Sequence, residues 1–230
     1  LEEQPIKPHY LEGVEKPKKY HTISFAIDPA ISEKELADYT GFTVFGRTED
    51  NRFGELHSER GRYAPNALVE KAVEIVKNYK PDRIVLEMVA FQQVLKDILT
   101  TRLRKEGIFT PVSKAELGTA DDKRSRDKVT RLMGVLPLFE QKLVYLQNPE
   151  LIEESLSFPF GDHDDLVDSM VYNLLYLKQS AEKGKAMGQR VVQAFFGAKK
   201  SYYVDERGYA QVGDPPIKLG KRQFLNVDKS

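Results

Sequence analysis

The chain has 230 residues, 40% of them hydrophobic and 30% charged, which is enough apolar content for a packed domain and too much for a wholly disordered chain. It contains no cysteine, which excludes disulfides, zinc–thiolate sites and thiol nucleophiles and suits an intracellular protein. Thirty-five basic residues balance 35 acidic ones for a formal net charge of zero, and no apolar run approaches the roughly 20 residues of a membrane span.

Residues 1–20, with Pro5, Pro8 and Pro17 among several Lys and Glu, read as a linker or arm. HTISFAID (21–28) is a β-branched and aromatic run that predicts a strand, ended by Pro29. TGFTVFGR (40–47) and GELHSER (54–60) predict two more strands joined by a hairpin-like turn. Pro65 suits a first helical position, and Leu68, Ala72, Ile75, Val76 and Tyr79 follow at helical spacing up to the break at Pro81. RIVLE (83–87) has the form of a strand buried on both faces. A helix from about Phe91 to Lys105, a short strand at FTPVS (109–113) and a basic helix from about Lys123 to Met133 come next. LVYL (143–146) predicts a short strand and residues 149–157 a short helix. In the last clear helix, Asp162 is a candidate N-cap, and Leu166, Val167, Met170, Val171, Leu174 and Leu175 form one apolar face. The order predicts an α/β domain with a mixed sheet, antiparallel in its first three strands and flanked by helices. The pattern decays in 181–230, which is expected to be a basic tail with at most short elements.

The zero net charge is a cancellation. Residues 23–178 hold 26 acids and 21 bases, whereas residues 179–230 hold five acids and ten bases. From Leu143 to Leu177 there are seven acids and no Lys or Arg. So many carboxylates without an internal base must be solvated, paired from elsewhere or neutralised by metal.

Three acidic positions fall where a sheet gathers side chains. Asp28 ends the first strand, Glu87 ends a central strand, and Asp164, Asp165 and Asp168 lie at the start of the last helix, three and four residues apart. Hard oxygen ligands drawn from several elements suit two Mg2+ or Mn2+ ions, the arrangement used in phosphodiester hydrolysis. Simpler readings stand beside this one. An aspartate before proline is a turn former, and Asp162 to Asp165 favour a helix start through capping and the macrodipole. Asp168 lies past the turn where those effects act. The bases Lys123, Arg124, Arg126, Lys128 and Arg131 either form a solvated face or contact phosphates. His163 adjoins the aspartates, whereas His9, His21 and His57 have no such context.

Four segments resemble, in order, the nuclease domain of tailed-phage and herpesvirus terminase large subunits. GDHDDLVDSMVYNLLYL resembles the family's closing HDDLvDa signature, and AIDPAI followed by ADYTGFTVFG resembles its first two strands. DRIVLEMVAFQQ resembles the central strand that bears the second acidic ligand, and DDKRSRDKVTRLMGVLPLFEQKLVYL resembles a further conserved stretch. The resemblance spans about residues 21–178. It implies an RNase H-like fold and a two-metal, largely sequence-nonspecific endonuclease that cuts concatemeric double-stranded DNA during viral genome packaging. By motif, Asp28, Glu87, Asp164 and Asp165 match metal-binding positions, with Asp165 the essential member of its pair. Asp168 and His163 match positions of less definite role. Many relatives carry aspartate where this chain has Glu87. The family's ATPase motor needs a G-x-x-x-x-G-K-[ST] loop that does not occur here. The chain is therefore expected to be a C-terminal portion, with residues 1–20 leading from the motor and residues 21–180 forming the nuclease domain. Further implied partners are the portal and the small terminase subunit, with the host cytoplasm and the procapsid as locations and no membrane. Two alternatives remain open: a catalytically silent DNA-binding or motor-regulating module, and another RNase H-like nuclease such as a resolvase or transposase.

Overall fold

A computed structural model of the chain describes residues 4–29, 39–86, 90–115, 128–196, 202–204 and 210–212, with side chains omitted at 90–92 and beyond 181. Its fold is α/β, with a mixed six-stranded sheet flanked by helices. The strands are β1 (Thr22–Asp28), β2 (Thr40–Arg47), β3 (Phe53–Gly61), β4 (Arg83–Leu86), β5 (Val112–Lys114) and β6 (Val144–Tyr145), in the spatial order β5-β4-β1-β2-β3-β6. β1, β2 and β3 form the expected antiparallel meander, while β4 joins β1, β5 joins β4 and β6 joins β3 in parallel. The strand expected at 109–113 begins only at Val112, because Pro111 cannot donate to a ladder.

The helices are α1 (Pro8–Leu11), α2 (Pro65–Tyr79), α3 (Ala90–Lys105), α4 (Lys128–Glu140), α5 (Pro149–Ser157) and α6 (Asp165–Phe196). Alternation along β1 separates the two layers. Phe25 and Ile27 pack with Ile84 and Leu86 of β4 against α2 and α3. On the other face Ser24 and Ala26 meet α6, the first through Asn173 at 2.5 Å and the second beside Tyr172. The second core layer is built mainly by α4, α5 and α6, with Phe45 and Phe53 from the sheet.

Several boundaries differ from the sequence expectation. α4 runs on to Glu140 through Gly134 and Pro137, since Leu132, Val135, Leu136 and Phe139 keep one buried face across both residues. The arm does not stay outside the core: Ile6 is 1% exposed within the second layer, and Tyr10 and Leu11 pack against it. The helix begins at Asp165, and the Asp164 carbonyl accepts the Asp168 N–H at 2.9 Å. Asp164, not Asp162, therefore occupies the capping position.

The chain divides into two units, Leu1–Leu177 and Lys178–Ser230. In the second, α6 continues to Phe196, and Tyr202–Val204 (β7) pairs antiparallel with Ala210–Val212 (β8). That is more regular structure than a tail with short elements was expected to hold. Among the described residues, no helix is long and apolar enough to cross a membrane.

Candidate active site

The site is assembled by strand register. Asp28, the last residue of β1, pairs with Gly41 of β2, and Gly41 pairs with Arg60 of β3. Directly opposed residues in antiparallel strands project from the same face, and for this row the face is the one that α6 covers. Ser24 and Ala26 share the parity of Asp28, and Thr43, whose side chain and carbonyl both accept from Asn173, shares that of Gly41. A Cβ at residue 41 would overlap the carbonyl group of Asp165. The first peptide of α6 thus rests directly on the residue beside Asp28, about 5 Å away along the ladder direction.

Asn173 fixes this docking. Its side chain accepts from the Ser24 hydroxyl and donates to the carbonyl and hydroxyl of Thr43, all within a fully buried contact. The apolar stripe of α6 is legible in the sequence, and Asn173 interrupts it. That interruption was the available signal for a residue that locks the helix to two strands.

The aspartates at the start of α6 have distinct surroundings. Asp165 is half-buried, and its carboxyl is raised above the usual range by burial and by neighbouring Asp164, against the opposing pull of Arg60 and Lys128. Asp164 and Asp168 share the Lys128 ammonium, at 2.7 Å from each. Burial works against that ammonium, but the two carboxylates hold it protonated well above the usual lysine range. Asp168 is 3% exposed and also meets the Arg131 guanidinium at 3.4 Å.

Arg131, expected on a solvated face or at phosphates, is instead buried. It is 6% exposed, donates to Tyr172 at 2.8 Å and lies 5.2 Å from the centre of that ring. Packing turns Arg131 toward the acids of α6. Lys128 likewise faces the carboxylates. Glu87, Lys123, Arg124 and Arg126 lie outside the described residues. Among the described residues, no three Asp, Glu or His side chains are grouped closely enough to hold a metal ion. Asp28 and the start of α6 nevertheless lie at the same end of the sheet, and there the Lys128 ammonium bridges Asp164 and Asp168.

A second layer of residues beside the aspartates was not anticipated. Glu154 of α5, buried beneath the start of α6, accepts the Val167 N–H at 2.9 Å and pairs with Arg60 at 3.1 Å. Burial pushes its carboxyl up to about 7, with the Val167 hydrogen bond and Arg60 opposing. His163 meets the edge of the Tyr39 ring, with centroids 5.0 Å apart. Over that ring lie the guanidinium groups of Arg62, at 4.4 Å, and Arg60, at 5.2 Å.

No family model and no curated protein matches this chain. Among solved structures it is similar to the nuclease domain of the large terminase subunit gp2 of bacterial virus Sf6, at 12% identity and TM-score 0.52, covering 74% of this chain and 97% of that one. A K428A mutant of the same domain, solved with manganese and beta-thujaplicinol, matches at 13% identity and TM-score 0.52 over 74% and 97%. The fowlpox virus Holliday junction resolvase aligns at 15% identity, TM-score 0.47 and coverage of 69% and 99%. The likeness to the Sf6 domain establishes a common RNase H-like fold.

Proposed function

We propose that this chain is a metal-dependent DNA endonuclease, and specifically the nuclease domain of a viral DNA-packaging terminase. The observation that carries the reading is the register row Asp28–Gly41, closed from above by the first peptide of Asp165. It brings Asp28 and the start of α6, which belong to separate elements, to the same end of the sheet. The terminase assignment is supported by the four ordered sequence motifs, above all HDDLVDS at 163–169, and by a fold shared with the Sf6 terminase nuclease domain.

Asp28, Asp165 and Asp164 are proposed as ligands of Mg2+ or Mn2+. Glu87, which lies outside the described residues, joins them on the sequence motif of the central strand alone. When bound, two such ions supply Lewis-acid activation of an attacking water and of the leaving oxygen. The protein's own contribution is positioning. Asn173 and Gly41 fix the height of α6 over β1 and β2, and Glu154 holds the first turn of that helix. Lys128 bridges Asp164 and Asp168, and Asp168 in turn anchors Arg131. Asp168 and His163 stand behind these ligands, since the first is engaged by two cations and the second packs on Tyr39. Lys123, Arg124 and Arg126 are proposed as phosphate contacts, with double-stranded DNA as the partner. Cleavage of concatemeric genomes, and partnership with a motor domain, portal and small subunit, follow if the terminase assignment holds.

The test is nicking of supercoiled plasmid with Mg2+ or Mn2+, comparing the chain with Asp28→Asn and Asp165→Asn. Metal-dependent nicking should fall by at least a hundredfold in each variant while circular dichroism stays unchanged. Cleavage that survives both substitutions would remove the site assignment. Absence of cleavage with either metal would favour the silent module.

A further inference from the structure

Two arginines stand over one tyrosine beside the aspartates, and their surroundings divide their roles. Arg60 is tied down: its side chain is 19% exposed and paired with Glu154 at 3.1 Å. Arg62 is exposed, and among the described residues it meets no carboxylate. Its guanidinium is nonetheless placed, lying 4.4 Å from the centre of the Tyr39 ring, whose edge is braced by His163.

An exposed arginine ordinarily loses considerable side-chain entropy when it grips a ligand. Stacking on an aromatic face reduces that loss and leaves the N–H donors at the rim of the guanidinium free to bond in its plane. The ligand such a group fits is an oxyanion, and the planar fork suits the paired oxygens of a phosphodiester. Its place in the fold indicates which phosphodiester. Arg60 stands in the same register row as Asp28, two strand spacings or about 10 Å away, and Arg62 follows it just beyond the end of β3. Tyr39 lies directly before β2, two residues from Gly41, and its partner His163 directly precedes Asp164. The cluster therefore borders the carboxylates on the β3 side, opposite β4.

We propose that Arg62, presented on Tyr39 and His163, binds a backbone phosphate of the DNA strand close to the bond that is cut, and so positions that strand over the aspartates. Arg62 is a positioning residue that contacts substrate away from the reacting atoms. The inference rests on the nuclease reading for its placement of the scissile bond, but the phosphate contact itself is measurable without cleavage.

The experiment measures affinity of the full chain for a fluorescent DNA duplex, without divalent metal, from about 0.05 to 0.3 M salt. Wild type is compared with Arg62→Gln, Arg62→Lys and Tyr39→Ala, and single-turnover nicking is measured in parallel. Loss of one phosphate contact lowers the slope of log affinity against log salt by about 0.9, or roughly tenfold in affinity at 0.1 M salt. Arg62→Gln should show that change, and in nicking it should raise the DNA concentration for half-maximal rate more than it lowers the maximal rate. Arg62→Lys should keep most of the salt slope, having the charge, yet bind more weakly, having lost the stacked plane. Tyr39→Ala should weaken binding with Arg62 intact. Nicking by wild type with unchanged affinity and slope in Arg62→Gln would overturn this inference and leave the nuclease reading standing. Arg62-dependent binding by a chain that never cleaves would do the reverse, and a wild type that does not bind DNA would remove both.

Discussion

At position 41, β2 carries no side chain on the face that α6 covers, and the backbone of Asp165 occupies the space. The contact is with a carbonyl group at a helix start, which cannot rotate away as a side chain can. Gly41→Ala must therefore lift the first turn of α6 or push β2 aside, at a cost of about 1–3 kcal/mol typical of overpacking. Gly134, inside α4, is the contrasting case. Among the described residues, a Cβ there would meet the Leu175 side chain at an ordinary 3.7 Å, and alanine relieves the helix of glycine's entropic penalty of roughly 0.5–1 kcal/mol. Thermal or urea unfolding should accordingly rank Gly134→Ala above wild type and Gly41→Ala well below it. Gly41→Ala should also lose nicking activity beyond its loss of folded protein, because the Asp165 peptide moves with the clash. Equal stabilities for the two variants would mean that α6 does not seat on β2 as described.

At the scale of elements, α5 and α6 are coupled through one buried carboxyl. Glu154 accepts from the N-terminal turn of α6 at Val167 and from Arg60 of β3, so one side chain joins two helices and the sheet. Its carboxyl is pushed up to about 7 by burial, above the unfolded value near 4.3. The folded state then holds a proton that the unfolded state releases between those values. Stability falls as pH rises from about 4.5 to 7, by at most about 3 kcal/mol for this group. Glu154→Gln keeps an oxygen acceptor for Val167 and removes the titration. The stability of the variant relative to wild type should therefore increase between pH 5 and pH 8, with the change centred below pH 7. A constant difference across that range would show that Glu154 is ionised throughout. None of this coupling was legible in the sequence, although the elements themselves were. Period-two alternation in β1 and helical spacing in α2 and α6 are local, and they predict which residues face the core. The neighbours of Glu154, like the row Asp28–Gly41–Arg60, depend on the pairing of β2 with β3 and on the packing of separate helices. No spacing within one segment carries that information. The same limit explains Arg131, whose direction follows from the side of α4 that meets α6, and Tyr39, whose role depends on Arg62 and His163 arriving from elsewhere.

For the molecule as a whole, a zero net charge conceals an acidic excess of five in residues 23–178, offset by the bases of 179–230. Folding concentrates part of that excess, since Asp28 and the aspartates at the start of α6 lie at one end of the sheet, where Lys128 pairs with Asp164 and Asp168 and Arg131 with Asp168. The raised carboxyl of Asp165 marks the unfavourable side of this arrangement. A carboxyl raised above its unfolded range destabilises the fold once it ionises, so at pH 7 without metal Asp165→Asn should unfold at a temperature equal to or above that of wild type. Divalent cations that bind only the folded state act in the opposite sense, contributing about 2.7 kcal/mol at a concentration a hundred times their dissociation constant. For a domain of this size that is a rise of roughly 5–10 °C. Titration of Mn2+ or Mg2+ into the chelated protein should therefore raise the unfolding temperature of wild type and leave Asp28→Asn and Asp165→Asn nearly unmoved, so that wild type overtakes Asp165→Asn as metal is added. A rise of equal size in all three proteins would place the cations elsewhere on the acidic surface. No rise in wild type would mean that the gathered carboxylates serve the fold through Lys128 and Arg131 alone.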